Sequence, residues 1–370
     1  MDPPQQLSRE FPRDVWLCVL NNLPIGDIPA FRLVCRAFRD VGQLAALRSI
    51  VCRGVPKHVM ELAESLKEDS PVRACMETFT FRDWTRCGFV GRRTDVLGHF
   101  DSTRYVGTYL CSIIALFPSV PKLRSLSFHF DLSNTAQDIQ NDRRRFQTLI
   151  LNTLATLPTL PYLTRLEITG LLPYHHGSWR VFSAFQKLET LQLTVRHLSP
   201  APWLGSLLAS LLKPPVATLT SLDIHFASYV GNPEGVRLSD ITFPCLTNLS
   251  LKSVLLGGDT FVEPFIIAHI STLRSLSMTA CGIVCGFNTH QSPEGRNWEL
   301  FFDALDVGMV ALTVLDITGY CYAVFDATAQ VWTQIEVRPS WKRRDAAALE
   351  RLQLNIQPVV IGQQVAELAL

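Results

Sequence analysis

After residue 120 one short pattern, L-x-x-L-x-L, returns eight times: Leu123-Leu126-Phe128, Leu163-Leu166-Ile168, Leu188-Leu191-Leu193, Leu219-Leu222-Ile224, Leu246-Leu249-Leu251, Leu273-Leu276-Met278, Leu312-Leu315-Ile317 and Leu349-Leu352-Leu354. Met76-Phe79-Phe81 reads as a degenerate earlier copy. The last two apolar residues of each copy alternate with polar ones, the two-residue period of a short strand with one face inward. A single copy cannot bury its own face, so the copies must stack and share a core. Successive copies are 25 (Leu166 to Leu191) to 40 residues (Leu126 to Leu166) apart, with 47 between Phe79 and Leu126, so the array is irregular.

This repetition resembles the leucine-rich repeat. The resemblance implies an α/β solenoid over residues 76–355, with parallel strands on a concave face and helices on a convex one. Apolar helical stretches lie where the convex layer belongs, at Tyr105 to Phe117, Phe146 to Leu157, Leu204 to Leu212, Phe261 to Ile270 and Trp298 to Val307. Prolines such as Pro118, Pro121, Pro158, Pro161 and Pro214-Pro215 then turn the chain back toward the next strand. The family's Asn or Cys after the strand is filled only by Cys281, so a regular inward hydrogen-bonding ladder is not expected. Residues 356–370 are expected to cap the last repeat, and residues 49–75 read as a helical linker.

In this register the outward strand positions are the candidate substrate-binding residues: Arg165, Glu167, Gln192, Asp223, His225, Asn248, Lys252, Asp316, Arg351 and Gln353. Serines and threonines fill most places between them, as at Ser125, Ser127, Thr169, Thr194, Ser250 and Ser277, with His129 and Asn355 at two strand ends. The surface is polar and mixed in charge. Three stretches interrupt the pattern, Thr85 to Thr103, Leu171 to Trp179 with His175-His176, and Gly282 to Asn297. Irregular loops on a rigid array are common places for recognition, and equally common places for drift.

The N-terminal part is a different kind of sequence. In FPRDVWLCVLNNLPIGDIPAFRLVCRAF, residues Phe11 to Phe38, the apolar residues Val15, Val19, Leu20 and Leu23 form one helical stripe. Ile28, Phe31, Val34, Cys35, Phe38 and Val41 form a second. Asp27 is placed to cap the second helix, with Pro29 tolerated in its first turn. A unit this small buries little apolar surface alone, so the stripes need a partner surface. Phe11-Pro12, Asp14, Leu23-Pro24, Asp27-Ile28 and Val34-Cys35-Arg36 with Phe38 resemble, in order, the pattern of an F-box. The resemblance implies a small all-helical F-box over residues 8–48. It would dock a Skp-type adaptor, and through it a cullin, by Phe11, Pro12, Val15, Val19, Leu20, Leu23, Pro24, Ile28, Phe31, Val34, Cys35 and Phe38.

A composition of 47% hydrophobic and 18% charged residues fits a folded chain. A net charge of +1 offers no field for nucleic acid or an anionic membrane, and Arg143-Arg144-Arg145 and Lys342-Arg343-Arg344 are too short to supply one. The start MDPPQQLSRE does not read as a signal peptide, and no apolar run has the length of a membrane span. Ten scattered cysteines point to reduced thiols in the cytoplasm or nucleus. Cys281 and Cys285 near His290 lack a fourth ligand at zinc spacing, so no metal site and no cofactor are expected. No catalytic motif appears: no phosphate loop, no nucleophile elbow, no H-E-x-x-H. The expected function is non-enzymatic: the substrate-recognition subunit of a Skp-cullin-F-box (SCF-type) ubiquitin ligase, its repeats holding an unidentified protein substrate. The alternative is a leucine-rich-repeat interaction scaffold that acts outside a ligase.

Overall fold

In a computed structural model of the chain, seven of the eight leucine-pattern copies, and the degenerate one at Met76, form β-strands. The structure describes residues 46–67, 70–83, 96–130, 137–172, 185–196, 217–230, 241–256, 262–284, 297–308, 310–326 and 331–356. The chain divides into two compact units, Met1–Asp131 and Leu132–Leu370. Both are mixed α/β, and their strands are mostly parallel.

In the first unit, β1 (Ser49–Arg53), β2 (Thr78–Arg82) and β3 (Ser125–His129) pair in parallel, β2 in the middle. The register aligns Ile50, Phe79 and Leu126 in one row and Cys52, Phe81 and Phe128 in the next. Helices α1 (Pro56–Ser65), α2 (Pro71–Cys75) and α3 (Val96–Ala115) connect them, followed by a 3-10 turn at Phe117–Ser119. Pro56 and Pro71 open α1 and α2, where a missing N–H costs nothing, and the Ser70 hydroxyl accepts from Val72 N. The Phe79 ring meets Phe117 edge-on, centroids 5.1 Å apart. Phe79, Phe81, Cys52, Leu110, Ile113 and Ile114 are fully buried.

In the second unit, β4 (Arg165–Leu171), β5 (Thr190–Val195), β6 (Ser221–Val230), β7 (Asn248–Leu256), β8 (Ser275–Thr279) and β10 (Val314–Thr318) run parallel in that order. A second ladder starts at the far end of β7, continues parallel through β9 (Gly282–Val284) and β11 (Cys321–Asp326), and ends antiparallel on β12 (Val331–Ile335). Helices α4 (Gln137–Thr156), α5 (Val262–Ala268), α6 (Trp298–Gly308) and α7 (Pro339–Ile356) complete the described elements. The expected inward residues share rows, Leu166–Leu191–Leu222–Leu249–Leu276 and Ile168–Leu193–Ile224–Leu251–Met278, and all are essentially buried.

Two backbone devices recur. Just before a strand begins, one carbonyl of the preceding repeat accepts two successive N–H groups. Arg48 O takes Glu77 N and Thr78 N at 2.8 and 2.9 Å, Glu189 O takes Thr220 N and Ser221 N, and Thr247 O takes Arg274 N and Ser275 N. Threonine hydroxyls reinforce this step, with Thr220, Thr247 and Thr313 each donating to the carbonyl behind at 3.1 Å. A residue with positive φ bends the chain inside β4 and β7, at Gly170 (74°) and Ser253 (56°), and just after β8 and β10, at Ala280 (51°) and Gly319 (62°). Beyond it, β7, β9 and β11 build the second ladder. At Gly282 a Cβ would come within 2.8 Å of Leu255 Cδ2 and 3.2 Å of Cys321 Sγ, so any larger residue there must push these side chains aside where β7, β9 and β11 meet.

Buried polar side chains tie helices to this backbone. Gln147 donates from Nε2 to Gly170 O at 2.9 Å and accepts Leu172 N at 2.8 Å, closing the bend after β4. His269 donates from Nδ1 to Phe265 O at 2.7 Å and accepts Phe243 N on Nε2 at 2.8 Å, which fixes a neutral tautomer. Burial lowers its pKa against the opposing effect of the Phe265 bond. The Cys281 thiol, pushed up to about 12 by burial, lies 3.5 Å from Leu251 O, taking the backbone-bonding place expected of it.

Four sequence expectations need correction. Residues 49–75 are not a helical linker throughout, because Ser49–Arg53 is the strand β1. Its inward pair is Ile50 and Cys52 instead of two leucines, which hid the copy. Leu349-Leu352-Leu354 is not a strand but part of α7. Its i, i+3 leucines suit either period, and the stripe actually buried is Asp345, Ala348, Leu352 and Ile356 at helical spacing, while Leu354 stays 58% exposed. The interruption expected at Thr85 to Thr103 gives way to α3 from Val96 onward, and that at Gly282 to Asn297 opens with β9. Ser127, expected to face outward, is buried at 8% exposure. The Leu204 to Leu212 helix, the His175-His176 pair and the cap from residue 357 lie outside the described residues.

Candidate functional site

Strand alternation sends every second side chain of the second unit to the face opposite the leucine rows, and parallel pairing sets these residues in lines. One line reads Arg165, Thr190, Ser221, Asn248, Ser275, Val314; the next Glu167, Gln192, Asp223, Ser250, Ser277, Asp316; the third Thr169, Thr194, His225, Lys252, Thr279, Thr318. Eight of the ten expected substrate-binding residues therefore share one face: Arg165, Glu167, Gln192, Asp223, His225, Asn248, Lys252 and Asp316. They are half-buried or exposed. Arg165 pairs with Glu167 at 3.7 Å, His225 Nε2 lies 2.8 Å from Asp223 Oδ1, and the Ser277 hydroxyl donates to Asp316 at 3.4 Å. Carboxylates thus occupy the middle line, with cationic and hydroxyl groups beside them. The face can offer hydrogen bonds and paired charges, and among its described positions Val314, 54% exposed, is the apolar one.

The other two expected residues, Arg351 and Gln353, are on α7 and away from this face. Arg351 donates to Asp303 of α6 at 3.0 Å, Asn355 donates to Asp306 at 2.8 Å, and Arg344 pairs with Glu299 at 3.7 Å. These pairs form a helix-to-helix clamp. Beneath it Asp345, 1% exposed, accepts Glu299 N at 3.1 Å and the Tyr322 hydroxyl at 2.8 Å. Tyr322 in turn accepts Trp298 N, whose indole donates to Cys321 O at 2.8 Å. Burial raises the Asp345 pKa, against the two hydrogen bonds that favour the charged form. A cleft of about 540 Å³ opens beside this network, lined by Tyr320, Tyr322, Gln334, Glu336, Lys342 and Asp345. Because both Asp345 oxygens already serve the fold, the carboxylate acts there as a structural tie.

In the first unit the positions opposite the inward rows are Ser49, Val51 and Arg53 on β1, Thr78, Thr80 and Arg82 on β2, and Ser125 and His129 on β3, with Ser127 between the last two buried. The β1 and β2 members were missed in the sequence, because finding Arg53 requires knowing that β1 exists. Its S-I-V-C-R alternation, one repeat before Met76, was the available signal. Among the described residues no group of His, Cys, Asp and Glu could hold a metal ion, and no helix is long and apolar enough to cross a membrane.

The twelve expected adaptor-contact residues, Phe11 to Phe38, lie outside the described residues. Comparison with the curated proteins returns no match. Comparison with protein families does: residues 9–43 match the F-box domain, within the 8–48 expected from the motif and containing all twelve positions. The chain carries an F-box domain over residues 9–43.

Proposed function

We propose that this chain is the substrate-recognition subunit of an SCF-type ubiquitin ligase, its F-box docking a Skp-type adaptor and its leucine-rich-repeat solenoid binding a protein substrate. The F-box match over residues 9–43 carries the proposal, since F-box domains bind Skp-type adaptors. The in-register parallel strands, each bearing the leucine pattern, support the solenoid reading. The polar lines on the opposite face support a role in holding another protein. In this reading the chain performs no chemistry and works in the cytoplasm or nucleus. It raises the effective concentration of substrate lysines near a charged conjugating enzyme.

The test is co-expression with a Skp-type adaptor and size-exclusion chromatography, comparing the native chain with Val19→Asp, Leu20→Asp. Two charges placed in the contact stripe cannot be desolvated without a partner. The expected result is a stoichiometric complex lost in the double variant. A well-folded native chain that ignores the adaptor would leave an interaction scaffold outside any ligase.

A further inference from the structure

Two strands of the second unit, β10 and β12, have no strand on their outer side among the described residues. Natural proteins guard such edges with charges, prolines or bulges. β10 carries Asp316 at its middle position and is in contact with α7. β12 lacks such a charge: its sequence V-W-T-Q-I contains no ionic residue, proline or glycine, and four of its five residues are β-branched or aromatic, the types that favour a strand. Its inner side is held in antiparallel register, Val331 opposite Asp326 and Ile335 opposite Tyr322, with the Thr333 hydroxyl donating to Val324 O at 3.3 Å. Every second residue of β12 turns its N–H and C=O away from β11, and Thr333 and Gln334 are exposed. The cleft of about 540 Å³ begins where this strand ends, since Gln334, Ile335, Glu336 and Val337 line it together with Tyr320 and Tyr322.

We propose that the free edge of β12 and this cleft together form a docking site for an extended, neutral segment of a partner protein, which adds as a strand and inserts an aromatic side chain into the cleft. The site goes beyond the ligase reading, since it needs neither the F-box nor the mixed-charge face. In strand addition the main-chain bonds supply affinity, and a pocket for an alternate side chain supplies selectivity. The cleft falls in the size range of ligand pockets, roughly 300–1,000 Å³. Tyr320 and Tyr322 give it aromatic walls backed by other rings: Tyr320 packs on Trp298 with centroids 5.3 Å apart, and Tyr322 on Trp341 at 6.1 Å. Ile335 and Val337, both half-buried, add apolar surface. Each charged group of the lining is already engaged, Glu336 with Lys342 at 3.6 Å and Asp345 with the Tyr322 hydroxyl and Glu299 N. A charged side chain would compete with these pairs, whereas an aromatic ring with a polar tip would not.

The test is selection of a phage-displayed library of short random peptides on the full chain, followed by fluorescence anisotropy of the enriched peptide. The expected peptide carries an aromatic residue within an alternating, uncharged stretch, and replacing that residue by alanine should weaken binding roughly tenfold or more. N-methylation of alternate backbone amides should abolish binding in one phase and have little effect in the other, because only one edge of an added strand pairs with β12. Val337→Trp and Lys342→Trp each narrow the cleft and should weaken binding roughly tenfold, whereas Val314→Trp on β10 should not. Melting temperatures show which variants are folded, and a cross-link to the native chain decides the matter without them. A benzophenone in place of the aromatic side chain should react within residues 320–322 or 334–345. No enriched peptide, binding that ignores both cleft variants, equal loss in both methylation phases, or a cross-link on the mixed-charge face would each overturn the proposal. A dimer of the chain alone in light scattering that Lys342→Trp dissociates would overturn it in favour of a second copy at β12.

Discussion

Removing the Asp345 carboxylate should loosen α7 from the second unit. Asp345→Ala leaves Glu299 N–H and the Tyr322 hydroxyl without their acceptor in a site 1% exposed. Hydrogen bonds to a charged group contribute about 1.5–3 kcal/mol each. Part of this is offset because the variant no longer desolvates a carboxylate, a cost already visible in the raised pKa. The net loss expected is about 2–4 kcal/mol, or roughly 5–12 °C in melting temperature for a unit of this size. Asp345→Asn keeps one acceptor and should lose about half as much. The pH dependence has a definite sign. With its folded pKa above the unfolded value of about 3.9, Asp345 binds more protons folded than unfolded, so its contribution is greatest below that pH and declines as pH rises through the folded pKa. The stability gap between native chain and Asp345→Asn should therefore narrow from pH 4 upward. Differential scanning calorimetry across that range checks both. An Asp345→Ala variant within 1 °C of native, or a gap that widens with pH, would refute the account.

Leu352→Asp should unfold the C-terminal part of the chain, whereas Leu354→Asp should change stability by no more than about 0.5 kcal/mol, because only the first is buried; circular dichroism melts distinguish this from a strand, in which both would face inward. His269→Ala strands Phe243 N–H and Phe265 O and should cost about 2–4 kcal/mol by denaturant titration. Its lowered pKa means that the native chain loses stability as pH falls below about 6.5, and that this part of the acid sensitivity is absent from the variant. Gly282→Ala should cost about 1–3 kcal/mol through contact with Leu255 Cδ2, and a companion Leu255→Ala should relieve the clash, giving a non-additive cycle in thermal melts.

The leucine pattern was a good guide wherever a strand is buried on one face, because Leu191, Leu222 and Leu249 can satisfy an alternating period only by stacking in register. It failed where apolar residues of another shape serve the same place, as with Ile50 and Cys52 in β1. It also failed where i, i+3 spacing fits a helix equally well, as at Leu349 and Leu352. There the deciding signal was the run of helix formers around Ala346 to Ala348 and the inward Asp345. The short strands β9, β11 and β12 carry no copy of the pattern, since they follow from the left-handed bends at Ala280 and Gly319. Gln147 and His269 were illegible for another reason: each accepts a backbone N–H some 25 residues away, from Leu172 and Phe243, which no side-chain motif marks. Most of the mixed-charge face could be read once the register was known. The outward positions of β1 could not, because Ser49–Arg53 had been read as part of a helical linker.

The double-acceptor carbonyl at the start of β2, β3, β5, β6, β7, β8 and β10 has an evolutionary consequence. Each repeat takes its phase from the backbone of the one before, so the length of chain between them carries no positional information. A loop can gain or lose residues and the next strand still begins at the same step, as a thread cut on a bolt keeps its pitch whatever the spacing of the marks along it. Copies 25 to 40 residues apart then remain compatible with one ladder. Natural variation in such a chain should therefore accumulate as length between strands, while the few residues around Thr220, Thr247 and Arg274 stay fixed in count.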